Sequence, residues 1–281
     1  MKERNSNVRL FLLWVGQGFR LALRTPQAVF FVIAFPLLLL CLFSALNSGA
    51  DGFVTIDGGR VAFAQFFTPS IASFATLTSC FTGLVIGLAT ERDAGMLKRI
   101  RSSPLRTWVY VAARTVDRLT LAFVAAVVLF AVGVLAFGVH VYPSLLPAAL
   151  VTLLIGATSF CALGMALGAI VPNADTAIPI VNVIALPMMI LSGVFSPIAE
   201  APSWLQNLAA VFPLSHMVRA FEGTFSPFTG GLGFAWGHLL VLTCWGVVGA
   251  VIAVRRFRWE PAPAGVGGWR RRRAGRAPTG A

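Results

Sequence analysis

ERDAGMLKRIRSSPL, running from Glu91 to Leu105, sits between two long segments without a single charge, Val61–Thr90 and Leu119–Phe137. Its own charges are Glu91, Arg92, Asp93, Lys98, Arg99 and Arg101, with Arg106 just beyond. Each would cost roughly 2.5 to 3.5 kcal/mol at the centre of a bilayer. The flanking segments therefore read as membrane spans, and the stretch between them as a short charged helix held in water or against a soluble protein. Ala94, Leu97 and Ile100 share one helix face, rimmed by Arg92, Lys98, Arg99 and Arg101. Gly95 permits a bend or a close backbone approach, and Pro104 ends the helix. An apolar strip rimmed by charge suits a groove on a soluble protein; a plain basic loop on the lipid surface is the alternative the residues leave open.

The whole chain follows the same logic. Of its 281 residues, 57% are hydrophobic and 11% charged, with a mean hydropathy of +0.83. A soluble domain usually carries about 25% charged residues, so the solvent here is mostly lipid. Runs of ~20 apolar residues are needed per crossing, which leaves space for about six spans and no soluble catalytic domain. Cys41, Cys80, Cys161 and Cys244 fall in separate apolar runs. They read as small packing residues rather than a disulfide framework or zinc site.

Residues 1–26 are expected to form a cytoplasmic N-terminal amphipathic helix. Val8, Phe11, Leu12, Val15, Phe19 and Leu23 lie on one face, with Arg9, Gln17, Arg20 and Arg24 on the other. Residues 27–258 form the expected six-helix transmembrane domain. Gln27–Leu46 is the first span, longer than a signal-peptide core and kinked at Pro36. Asn47–Arg60 reads as a loop. Further spans are expected within Val61–Thr90 and over Leu119–Phe137, Leu145–Val171, Thr176–Phe195 and Phe234–Val254, with Trp108–Arg118 as a helical run-in. The pairs Gly83/Gly87 and Gly164/Gly168 offer close contacts between helices. Two short amphipathic pieces after Pro202 and Pro213 form a re-entrant or interfacial hairpin before the last span. Residues 259–281 read as a disordered basic tail. The fold class is an all-α integral membrane protein.

Of the 22 Lys and Arg residues, 20 fall on the leader, the stretch between spans two and three, and the tail. Only Arg60 and Arg219 fall on the other side. The positive-inside bias then places both termini in the cytoplasm. It also accounts for the net charge of +12 without nucleic acid. The Arg270–Arg273 cluster adds affinity for anionic lipid.

The spans hold almost no ionisable groups; His238 is the clear exception. No H-E-x-x-H motif, G-x-S-x-G elbow or Walker A sequence occurs, and no set of buried acids suggests a proton relay. Uphill transport by such a chain draws its energy from a partner.

The pattern Glu91-Arg92-x-x-Gly95-x-Leu97-x-Arg99-Ile100-x-x-x-Pro104-Leu105 resembles the cytoplasmic coupling segment of type-2 ABC exporter permeases. The Ser192-Gly193-Val194-Phe195-x-Pro197 run, with Trp204-Leu205 and Phe212-Pro213-Leu214, is similar to the extracellular part of those proteins. The nearest subgroup is the membrane subunit of daunorubicin/doxorubicin-resistance-type exporters. Met96 stands where that family usually has Thr, and Lys98 where an acid is common. The resemblance implies a multi-pass subunit of the cell membrane that pairs with a second permease, either a copy of itself or a similar chain. It also implies separate ABC ATPase subunits that bind ATP and Mg, while this chain binds no cofactor or metal and catalyses nothing. The ATPase-coupling residues it implies are Glu91, Arg92, Gly95, Leu97, Arg99, Ile100 and Pro104. Membrane lipid is the other partner. A substrate path for hydrophobic drugs or natural products is sought along spans two and five, at Phe66, Phe67, Phe74, Pro179 and Pro187. Export of a lipid-linked polysaccharide or other lipid, and a non-transporting membrane scaffold, are the alternative readings.

Overall fold

A computed structural model of the chain describes residues 29–49, 52–56, 59–96, 107–198 and 201–256. The N-terminal amphipathic helix, Leu97, Arg99, Ile100, Pro104 and the basic tail lie outside the described residues.

Among the described residues, five helices are long and apolar enough to cross a membrane. They are α2 (Phe63–Asp93), α3 (Thr107–Phe137), α4 (Leu146–Ile170), α5 (Ala174–Leu191) and α8 (Trp236–Arg256). Before them comes α1 (Phe30–Leu46), apolar but shorter, and beginning next to the edge of the described residues. Its first turn, Phe30–Ala34, is a π-helix ending two residues before Pro36. A wide turn placed there absorbs the hydrogen bond that Pro36 cannot donate. The chain is an all-α integral membrane protein.

The expected loop at 47–60 is in part a β-hairpin. β1 (Phe53–Ile56) pairs antiparallel with β2 (Gly59–Ala62), in the register Val54 to Val61. The alternating, β-branched Phe-Val-Thr-Ile run favours it. The Phe228 ring lies where a side chain at residue 59 would be, which requires glycine at the start of β2. The run-in before span three is helical as expected, and continuous with it: α3 runs unbroken from Thr107.

Helix α2 is the axis, and its side chains are buried almost throughout its first half. It is 31 residues long, or about 46 Å at 1.5 Å per residue, against ~30 Å for a hydrocarbon core. Its ends therefore stand clear of the lipid, which is how Glu91–Asp93 belong to a spanning helix. The middle of α2 widens into a π-turn, Thr78–Thr82. There the carbonyls of Cys80 and Phe81 lie 2.8 and 2.9 Å from where a side chain on Gly164 would begin. Small residues permit such close approach between spans. On its other side α4 meets α8, where Gly249 stands 2.8 Å from the backbone of Leu163 by the same measure.

The two short helices expected before the last span are α6 (Ser203–Ala209) and α7 (Pro213–Gly223). Helix α7 is packed inside rather than lying on the surface: Leu214, Met217, Val218 and Phe221 are buried. Pro213 starts it, as the first-turn preference of proline dictates. The cysteines are all free.

Candidate functional site

The final turn of α2 carries three consecutive charges, and each engages a different helix. Glu91 accepts from the Tyr110 hydroxyl and pairs with the Arg114 guanidinium, both on α3. Arg92 turns inward and is 3% exposed. Its Nη1 donates to the Val171 carbonyl at 2.6 Å and its Nη2 to the Gly168 carbonyl at 2.8 Å, at the end of α4. Asp93 accepts from the backbone N–H of Ala174, the first residue of α5, at 2.7 Å.

Local sequence explains each contact. An α-helix leaves its last carbonyls and first N–H groups without internal partners. Arg92 satisfies the former on α4, Asp93 one of the latter on α5. The Asn173 side chain takes another, accepting from Thr176 N at 2.9 Å. Arg92 reaches α4 because Gly168 lets Leu88 and Val85 approach closely. The charge signs also suit the helix dipoles, cation at a C-terminus and anion at an N-terminus.

Behind this turn lies a second layer of charge on α3. Arg114 Nη1 stands 3.7 Å from Asp117 Oδ2. The Arg118 guanidinium lies across Gly83 and Gly87, 2.6 and 3.3 Å from where their side chains would begin. That glycine pair, expected to admit a neighbouring helix, admits an arginine. The carbonyl of Arg118 in turn accepts from Ser79 Oγ in the π-turn, at 3.0 Å.

The sequence pattern puts Glu91 and Arg92 in water or on a soluble partner. The structure turns both inward, because α3, α4 and α5 converge on this end of α2 and supply partners of the right sign. α2 stops at Asp93, and just past it Gly95 takes a left-handed conformation (φ 69°). The roles of Tyr110, Arg114, Asp93 and the α4–α5 turn escape local pattern; the alternation of sign in Glu91-Arg92-Asp93 is the available signal.

The opposite end of α2 is held chiefly by a neutral amide. Gln65 Nε2 donates to the carbonyls of His140 and Phe225, at 2.9 and 2.7 Å, and its Oε1 accepts from His140 N at 2.8 Å. Ser70 Oγ donates to Glu222 of α7 at 2.6 Å. His216 of α7 and His238 of α8 join through their Nδ1 atoms at 2.8 Å, so His238 has a structural partner.

The residues expected on a substrate path do not come together. Phe66 and Phe67 have no exposed surface; Phe67 sits among Phe43, Phe63 and Phe195. Both are core residues of the single chain. Phe74 is half-buried, while Pro179 and Pro187 stand exposed on α5 beside Asn182 and Val183. A groove of about 450 Å³ does open between α3, α4 and α7, but its walls, Phe130, Ala149, Phe221 and Phe225 among them, are carbon throughout and include none of those residues. Among the described residues no group of three His, Cys, Asp or Glu side chains could hold a metal.

Comparison with known proteins bears on this arrangement. A family model described as "ABC-2 type transporter" matches residues 9–226. The "Probable multidrug ABC transporter permease YbhR" of Escherichia coli (strain K12) is 28% identical over 151 residues, 54% of this chain and 41% of that protein. The "Putative transport permease ycf38" of Cyanophora paradoxa is 28% identical over 210 residues, covering 72% of this chain and 69% of the relative. The "Putative transport permease YvfS" of Bacillus subtilis (strain 168) is 24% identical over 181 residues, 64% and 72% of the two chains. The chain thus spans about two fifths of the length of the first of these relatives.

Proposed function

The chain belongs to the ABC-2 type transporter family, and from that premise we propose that it is the permease subunit of an ATP-driven exporter whose ATPase is a separate chain. The observation that carries this reading is the junction at the end of α2. Three adjacent charges grip α3, α4 and α5, and Gly95 then directs the chain into the charged stretch beyond. A push on that stretch is delivered to four spans at once. Leu97 and Ile100 supply the apolar contact with the ATPase; Arg99 rims it, and Pro104 ends the element. The junction and both termini face the cytoplasm, as the excess of Lys and Arg on that side requires.

The cargo is a hydrophobic or amphiphilic drug or natural product of the kind handled by daunorubicin-resistance-type exporters. Its path runs between two copies of the chain rather than through one. Support comes from α5, whose outer face meets no other element among the described residues: Val183 is 74% and Ile190 67% exposed. Asn182 is exposed on the same helix. A polar amide exposed on an apolar span is satisfied when another span meets it.

Purification from native membranes in mild detergent, followed by mass spectrometry, tests the reading. A soluble chain with a Walker A motif is expected to accompany the wild type and to be lost from Leu97→Asp. Recovery of no such chain, or its retention by the variant, refutes the reading in favour of a non-transporting scaffold.

A further inference from the structure

Arg92 and Asp93 do something that contact with a soluble partner does not require. One is buried, and both hold the same turn from opposite sides. Arg92 binds the final carbonyls of α4, and Asp93 the first N–H of α5. Between those atoms lies only the Val171–Ala174 turn, which Asn173 stiffens by capping α5. A cation at the end of one helix and an anion at the start of the next fix that turn with complementary charge.

Helix α5 has few other ties to α2. Among the described residues, the Asp93 contact is the only hydrogen bond joining the two helices. Its remaining grip is apolar, through buried Ala177, Val181 and Met188, and its outer face is open. Apolar side chains resist separation but slide past one another more readily than a directed hydrogen bond permits.

We infer that Arg92 and Asp93 are positioning residues that carry displacement of the segment after Gly95 into the start of α5, by way of the Val171–Ala174 turn. The inference rests on the motor-driven reading above. Helix α5 is then driven at its own end, in step with α2, rather than dragged along its side. The turn acts as a crank, and the glycine at 95 lies outside it, so the pivot for the incoming push and the clamp that receives it are separate.

The test uses the complex of this chain with the ATPase subunit recovered from its own membranes, in lipid nanodiscs. Spin labels at Met96 and Val254 report the end of α2; labels at Ile178 and Val254 report the start of α5. All three sites are exposed, and exposed Cys244 is first replaced by Ser. Distances are measured with and without Mg and the analogue AMP-PNP. Both pairs are expected to shift in the wild type. In Asp93→Ala with Arg92→Gln, the Met96 shift is expected to persist while the Ile178 shift falls at least threefold. Asp93→Glu with Arg92 intact is expected to restore the Ile178 shift.

An Ile178 shift that survives the double variant overturns the inference and leaves the motor-driven reading standing. If Arg92→Gln prevents assembly, Asp93→Ala alone decides, because Asp93 is exposed and Arg92 keeps its two carbonyl partners without it. In that variant too, an undiminished Ile178 shift overturns the inference. If neither pair moves in the wild type, the motor-driven reading has failed and this inference falls with it.

Discussion

At one end of α2, Gln65 gathers the 138–142 loop and the end of α7 with a single neutral amide. At the other, Glu91, Arg92 and Asp93 gather α3, α4 and α5 with full charges. The amide uses three hydrogen bonds and leaves nothing charged behind if it is removed. At the charged end Glu91 depends on a partner of opposite sign: remove it, and the largely buried Arg114 loses its closest anion. Such losses cost about 3–5 kcal/mol, whereas an orphaned neutral group costs about 1–3 kcal/mol. A neutral clamp suits a part that stays put. A charged junction suits a part whose members must move together, because its alternatives are so much worse.

The largest effect should therefore come from Glu91→Ala. It strands Arg114, which is 16% exposed and otherwise 3.7 Å from Asp117. A loss of about 3–5 kcal/mol is expected, read as the midpoint of SDS-induced unfolding in mixed micelles. Glu91→Gln should lose less, since it still accepts from Tyr110. At the other end, Gln65→Leu is expected to cost about 1–3 kcal/mol by the same measurement. If Gln65→Leu proves the more damaging of the two, the contrast between the ends is wrong.

The amino-acid sequence displays one side of this contrast and hides the other. The spans are legible because an unbroken apolar run of about twenty residues matches the thickness of a bilayer and little else; α3, α4, α5 and α8 lie close to their expected bounds. The end of α2 is legible as charged but not as internal. Arg92 is buried only because α4 ends beside it, and a helix terminus 76 residues away is invisible to local pattern. Gly164 and Gly168 are points of close approach, as their spacing suggests; Gly83 and Gly87 share that spacing but shelter Arg118. Spacing alone cannot say whether backbone or guanidinium fills the gap. The hairpin escapes notice because its strands are four residues each, within a glycine-rich segment.

Gly95 sharpens the contrast from a third direction, because it stands just past the charged turn and makes no side-chain contact of its own. A side chain there would meet nothing within 4 Å. Gly95→Ala should therefore act only through its left-handed backbone, at about 1–2 kcal/mol. That cost falls on the exit of the chain from α2, not on the junction. The expected result is normal SDS unfolding of the spans with weakened capture of the ATPase subunit. A loss as large as that of Glu91→Ala would mean that the pivot and the junction are one unit.

The smallest effect on the single chain should come from the exposed face of α5, where neither kind of clamp operates. Asn182→Leu removes an exposed amide and adds apolar surface to a span, so the fold should change by no more than about 0.5 kcal/mol. Association is where it should register. Hydrogen bonds between spans contribute about 1–2 kcal/mol, so energy transfer between labelled copies in vesicles should report self-association weakened roughly five- to thirtyfold. An unchanged association would move the second copy away from α5, and with it the path proposed to run between the copies. The charged junction would then deliver its displacement to a helix facing lipid, and the reason for clamping α5 at its start would have to be sought in the fold of one chain.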